Sequence, residues 1–190
     1  MVRGYHSPGR QARAEATRRR IVEAAVGLLG EGGLEVPAVA AAASVSVPTV
    51  YRYFPDREAL LDAVHTHLRE RLGPGVRPAT LEDVASAAVT RIDGFERNEA
   101  VVRAALATPG FLEALQRSRD AHAARLLAPR TRHLDAEDAR AVRALLLQLS
   151  DAPTWLALKD EHGVAPEAIG RVVGWAISAL LDRLREDGGT

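Results

Sequence analysis

The sequence predicts an all-α protein, and three observations carry that prediction. Aromatic residues make up only 4% of the 190 residues while Ala, Leu and Arg are heavily used, which favours helix over sheet. Apolar residues recur at helical spacing in one segment after another. Pro, Gly and capping Asp or Ser stand between those segments, where helices start and stop. At 47% hydrophobic residues the chain is long enough to bury a sizeable core. It holds no cysteine, which excludes disulfides, thiolate chemistry and cysteine-based zinc sites. Met1 to Arg20 lack the apolar stretch of a secretory signal, and no apolar run reaches the roughly 20 residues a bilayer span needs. The expected address is therefore the cytoplasm, with no membrane partner.

In chain order, the first helix is expected from about Ala12 to Gly30, with Ile21, Val22, Ala25, Val26, Leu28 and Leu29 inward and Glu31-Gly32-Gly33 as its stop. A second runs from Pro37 through Ala43, with Val39 and Ala40 inward. Ser44 and Val45 make a tight turn. A third, short helix covers Val47 to Tyr53, opened by Ser46, whose hydroxyl can cap free N–H groups, and by Pro48 in its first turn. Pro55 breaks it, and Asp56 caps a fourth helix to Leu72 with Ala59, Leu60, Leu61, Val64, Leu68 and Leu72 buried. Gly73-Pro74-Gly75 with Pro78 is the strongest linker. Thr80 and Asp83 open a helix to about Arg97, another spans Asn98 to Thr108, and a third starts at Phe111 and ends at Pro129. Asp135 caps a long helix over residues 137–160 that carries Pro153, and Pro166 starts the last, giving about nine helices.

The net charge is zero, but residues 1–20 hold six arginines against one carboxylate, Glu15. An anion-binding surface is expected at that end. Residues 1–11 read as a flexible basic arm, either a solvated tail or a DNA contact. Two short helices around a tight turn, over residues 38–57, have the form of a helix-turn-helix. The exposed face of the second carries Val47, Pro48, Thr49, Tyr51 and Arg52. Hydroxyl, methyl, phenol and guanidinium groups on a short helix suit a DNA major groove better than a catalytic pocket.

Residues 13–68 resemble the DNA-binding domain of the TetR family of bacterial repressors. The resemblance rests on Arg20-Ile21-Val22-Glu23-Ala24-Ala25, on Val39-Ala40 and Val45-Ser46, and above all on Thr49-Val50-Tyr51-Arg52-Tyr53-Phe54-Pro55-Asp56-Arg57-Glu58-Ala59-Leu60-Leu61. Three positions depart from the family's usual form: Ser44 stands where the turn generally has Gly, Glu35 where Thr is usual, and Arg57 where Lys is common. The resemblance implies a three-helix helix-turn-helix DNA-binding domain over residues 12–56 and a larger helical effector-binding and dimerisation domain over 57–187. It implies that Ser46, Val47, Pro48 and Thr49 lie near bases or phosphates and Tyr51 and Tyr53 on the backbone, with a phosphate beside Arg57. Arg52 points either to DNA or to solvent, and Phe54 packs in the core. The expected partners are double-stranded DNA with a palindromic operator, a second copy of the chain, and a small-molecule effector that releases a repressor.

Such an effector would sit among the helices of residues 57–130, where His65, Phe95, Phe111, His122 and Trp155 can give polarity or a flat surface to an apolar cavity, or can simply be core or surface. Arg103, Arg117, Arg119 and Arg125 favour an anionic effector only if one of them points inward. His65 and His67 lie two apart on a helix and cannot share a metal, so no metal or cofactor is expected. The apolar stripe of the last two helices suggests a four-helix dimer bundle built on Leu145, Leu149, Val173, Trp175, Ile177, Leu180, Leu181 and Leu184, with Gly170 and Gly174 allowing close approach. The alternative is an intramolecular core. No nucleophile–base pair, H-E-x-x-H or Gly-rich phosphate loop is present, so an enzyme is not expected. A constitutive DNA-binding dimer without inducer, or a helical-bundle enzyme, are the other readings.

Overall fold

A computed structural model describes residues 8–30, 34–73 and 77–188. Ten α-helices and no strand occur among them. α1 (Pro8–Gly27), α2 (Val36–Ala42) and α3 (Val47–Tyr53) form an amino-terminal head, and α4 (Arg57–Leu72) leads out of it. α5 (Val84–Arg97), α6 (Glu99–Leu106), α7 (Phe111–Thr131), α8 (Ala136–Leu149), α9 (Ala152–Asp160) and α10 (Pro166–Asp187) build the larger body. No helix among the described residues is long and apolar enough to cross a membrane.

α2 and α3 have seven residues each, too few to be stable alone, so burial must hold them. Ile21, Val22 and Ala25 of α1, Val39 and Ala40 of α2, Val50 of α3, and Leu60, Leu61 and Val64 of α4 form one apolar cluster. Ala105 and Phe111 join it from the body, so head and body share a core across α4. A second cluster gathers Ile92 and Phe95 of α5, Leu127 of α7, Trp155 of α9 and Ile169, Val173 and Ile177 of α10.

Several elements differ from expectation for identifiable reasons. α1 begins at Pro8, so residues 8–11 of the expected flexible arm are helical. The rest of that arm, residues 1–7, the expected helix stop at 31–33 and the linker residues 74–76 lie outside the described residues. Thr80 N and Oγ1 both donate to Asp83 Oδ2, at 3.0 and 2.8 Å, but helical structure starts only at Val84. Pro129 does not end α7, which continues to Thr131. The expected long helix over 137–160 is two helices. Asp151 accepts from Thr154 N at 3.1 Å and Pro153 falls in the first turn of α9, where a missing N–H is harmless.

The stripe of α10 also has a different destination. Val173, Ile177 and Leu184 are 3%, 0% and 6% exposed within the single chain, so these three expected interface residues are core. Leu149, Leu180 and Leu181 are half-buried against the same cluster. A Cβ on Gly174 would stand 2.7 Å from Val89 Cγ2, so the notch that was expected to admit a second chain admits α5 instead. What remains open is another face: Leu145, Val172 and Trp175 are 47%, 53% and 71% exposed.

An ionic ladder ties α5, α6 and α9. Lys159 Nζ lies 2.7 Å from both Glu96 Oε2 and Glu99 Oε2, and the Arg103 fork donates to Asp160 at 2.7 and 2.8 Å. Trp155 Nε1 donates to Glu96 at 2.6 Å. Lys159 and Arg103 hold the Glu99 carboxyl below its ordinary 4.5, and Arg103 holds Asp160 below its ordinary 3.8. Carboxyls that ionise more readily folded than unfolded stabilise the fold above their unfolded values and lose that contribution as pH falls. Arg103→Gln is therefore expected to lower Tm at neutral pH, with the two proteins' Tm values converging as pH falls below 4.5 and 3.8 and through the lowered values of the folded protein. A constant Tm gap across that range would contradict this role for the ladder.

Candidate functional site

The head presents α3 at its surface through one buried anchor. Val50 is 0% exposed, and Phe54, 2% exposed, closes the end of the helix with the Arg18 guanidinium 5.0 Å above its ring. This leaves Ser46, Pro48, Tyr51 and Arg52 exposed and Val47, Thr49 and Tyr53 half-buried. Tyr51, at 48%, is one of the exposed large hydrophobic residues. Arg52 lies 5.2 Å over the Tyr53 ring. Ser46 occupies the N-cap with extended backbone, but its hydroxyl does not cap the helix as expected. It is 2.9 Å from the Thr49 hydroxyl, so the two form one polar pair at the start of α3. Arg10, Arg13, Arg18, Arg19 and Arg20 of α1 are exposed on the same domain.

The turn between α2 and α3 bends at Ser44, which takes φ 52, the one non-glycine in left-handed conformation among the described residues. Backbone bonds from Ser44 N to Ala41 O and from Val45 N to Ala40 O close the turn around it. Glycine would adopt this geometry without a Cβ penalty.

Arg57, expected beside a phosphate, makes two bonds within the chain. Its Nε donates to Leu34 O at 3.2 Å and its Nη2 to Pro109 O at 2.8 Å. The guanidinium thus joins the segment before α2 to the turn between α6 and α7. Gly30 N donates to Thr108 Oγ1 at 3.0 Å, a second bond between the head and that same turn. Gly110 takes φ 80 there, and a Cβ on it would stand 3.0 Å from Arg57 Nη1.

Residues 21–64 match the family model described as bacterial regulatory proteins, tetR family. The head is a DNA-binding domain of the tetR type. Nine chains of known structure also match. One, from the crystal structure of multidrug binding protein EbrR complexed with imidazole, is 26% identical over 97% of this chain and 96% of that one, with a TM-score of 0.47. No curated protein matches.

Behind this tetR-type head, the body holds a cavity of about 150 Å³ between α4, α5, α7 and α8. His65, Phe95, Phe111 and His122 line it. Trp155 does not: it is 0% exposed, tilted against Phe95 with ring centres 5.6 Å apart, and its N–H is taken by Glu96. His65 meets Phe111 edge-on at 6.2 Å, and Phe111 belongs both to the cavity wall and to the apolar cluster of the head. Arg103 turns to Asp160 and Glu99, and Arg125 is exposed. The side chains of Arg117 and Arg119 lie outside the described ones. The arginines that do line the cavity are Arg69, Arg71, Arg77 and Arg91, none of which was foreseen. One signal was available, because Leu68, Arg69 and Leu72 follow His65 at the spacing of a single helix face.

Replacing Ser44 by Gly relieves a left-handed serine that costs about 1–2 kcal/mol, against about 0.4–1 kcal/mol of added unfolded-chain entropy. Ser44→Gly is expected to raise Tm by about 2 °C. Calorimetry giving a lower Tm would show that the turn does not carry that strain.

Proposed function

We propose that this protein is a repressor that binds a palindromic operator as a homodimer and lets go when a small organic molecule enters the cavity. The observation that carries the reading is Phe111, a single ring that walls the cavity on one side and packs into the core of the DNA-binding head on the other. In this reading Pro48, Thr49 and Val47 face base edges, where only apolar or hydroxyl contacts can be made, and Tyr51 donates to a phosphate. The basic α1 supplies the field that draws the duplex in.

The dimer face in this proposal is Leu145 of α8 with Val172 and Trp175 of α10, the large apolar residues the chain leaves uncovered there. A tryptophan at that exposure is the kind of anchor a partner helix buries. Two heads held by one rigid interface match an inverted repeat with half-sites about one DNA turn or more apart.

Release is a coupling free energy. A ligand that pushes on Phe111 and His65 loads Leu61 and Arg57 of α4 and the Thr108–Pro109 turn, and these bonds fix the head on the body. Its effect on operator binding equals its differential affinity for the two head positions, typically ~1–3 kcal/mol.

Selection from random duplexes is expected to enrich an inverted repeat; no enrichment would count against operator recognition. Thr49→Val should change which operators are preferred, whereas Tyr51→Phe should weaken all of them alike, as read by anisotropy titrations over salt. Val172→Glu with Trp175→Glu is expected to give a folded monomer, by sedimentation, with operator affinity reduced by about 100-fold or more. A double variant that stays dimeric would move the interface elsewhere. Arg57→Ala is expected to weaken operator binding by about fivefold, as a partly released head would, while the further release caused by a cavity-binding compound falls by about fivefold. A loss of affinity equal on every sequence, with release intact, would instead return Arg57 to the phosphate backbone.

A further inference from the structure

We propose that the cavity is selective for the sign of its occupant and takes a small organic carboxylate: an apolar body about the size of one aromatic ring, with one negative head at the mouth. This names the ligand class of the effector site and rests on that reading.

The size follows from the cavity's volume of about 150 Å³. Apolar cavities of that scale hold one benzene-sized molecule. Its deep wall is hydrocarbon, with Phe95, Phe111, Leu127 and Leu146 all buried. The sign follows from the charged residues of the lining. Arg69, Arg71, Arg77 and Arg91 line the cavity, and no Asp or Glu does so among the described side chains. The chain as a whole carries 25 basic and 25 acidic side chains, so this wall is segregated by charge within a neutral protein.

Arg91 is held by Ser150, its Nη1 donating to Oγ at 2.7 Å, and serves as wall. Arg77 is positioned differently. Its Nη2 donates to His122 Nδ1 at 3.2 Å, while His122 Nε2 donates to Pro78 O at 2.9 Å. A neutral imidazole accepting from a guanidinium fixes its place without cancelling its charge. Arg69, Arg71 and Arg77 take part in none of the ion pairs among the described residues. Their remaining donors, Arg77 having given Nη2 to His122, are available to a planar, two-oxygen head. A cationic head would meet like charges over a low-dielectric wall, and a neutral amide would leave the arginine charge to water alone.

The test uses the purified full-length protein with three isosteric probes, phenylacetate, phenylacetamide and phenethylamine, measured by calorimetric titration. Phenylacetate is expected to bind about tenfold or more tightly than phenylacetamide, and phenethylamine more weakly than either. The double variant Arg69→Gln with Arg77→Gln, made at the mouth so that the core is untouched, is expected to bring phenylacetate to within about threefold of phenylacetamide while leaving the amide's affinity unchanged. Amide binding equal to carboxylate binding in the parent protein overturns the sign selectivity and leaves the effector reading standing. Arginine-dependent phenylacetate binding that does not release the operator does the reverse: the ligand class holds and the release reading fails. No binding by any of the three probes overturns the proposed ligand class.

Discussion

Arg57 sets the geometry on which the two parts of this molecule depend. It sits at the first position of α4 and spends its fork on two main-chain carbonyls, Leu34 O in the head and Pro109 O in the body. The Thr108 hydroxyl accepts from Gly30 N beside it. A charged donor on a carbonyl contributes about 1.5–3 kcal/mol when shielded and less when half-exposed, as here. The greater effect is directional. A planar guanidinium holding two carbonyls fixes distance and angle together, so the head cannot rotate on the body without losing a bond. The carbonyls come from a segment preceding a helix and from a turn, and neither has a full set of ladder partners to offer instead.

That constraint explains why the head needs so little core of its own. α2 and α3 are short, and their shared cluster is completed by Leu60, Leu61 and Val64 of α4 and by Phe111 of α7. The body in turn closes on itself through α5 and α10, where the absence of a side chain on Gly174 lets Val89 come within contact distance. Once Ile169, Val173 and Ile177 are used in that contact, only the opposite side of α10 is left for anything else, and it carries Val172 and Trp175.

The sequence made α2 and α3 legible nearly to the residue, because their signals are local. Ser46 and Pro48 mark the start of α3 and Pro55 follows its end, and α3 runs from Val47 to Tyr53. Ser44 in place of the usual glycine left the turn either strained or of another subtype, and φ 52 is a left-handed conformation. Less was legible where the determinant is a neighbour distant in sequence. Helical periodicity shows that α10 has an apolar stripe, but both an intramolecular and an intermolecular partner satisfy it, and the packing of α10 in the cluster with Ile92 and Trp155 decides for Val173 and Ile177. Pro153 was read as a proline inside a helix, although Asp151 two residues before it is the N-cap that makes it a first-turn proline. Arg57 was read by its charge, and its two carbonyl partners lie 23 and 52 residues away. The cavity arginines escaped because three of them sit on or beside α4, a helix read for its buried leucines rather than for the adjoining edge.

The same placement limits how a bound molecule could act on DNA. Phe111 and His65 are in ring contact with each other and both face the cavity, while Phe111 also packs in the cluster that holds α3 through Val50. A coupling of ~1–3 kcal/mol is comparable with one or two half-exposed charged hydrogen bonds. A ligand therefore need not unfold the head to free it. Displacing Phe111 far enough to loosen the Pro109 and Thr108 contacts would shift the balance between a fixed and a rotated head by an amount of that order, because packed rings move between discrete positions rather than yielding continuously. In the proposed dimer the head would remain folded on its own apolar cluster throughout, and only its position relative to the second head would change.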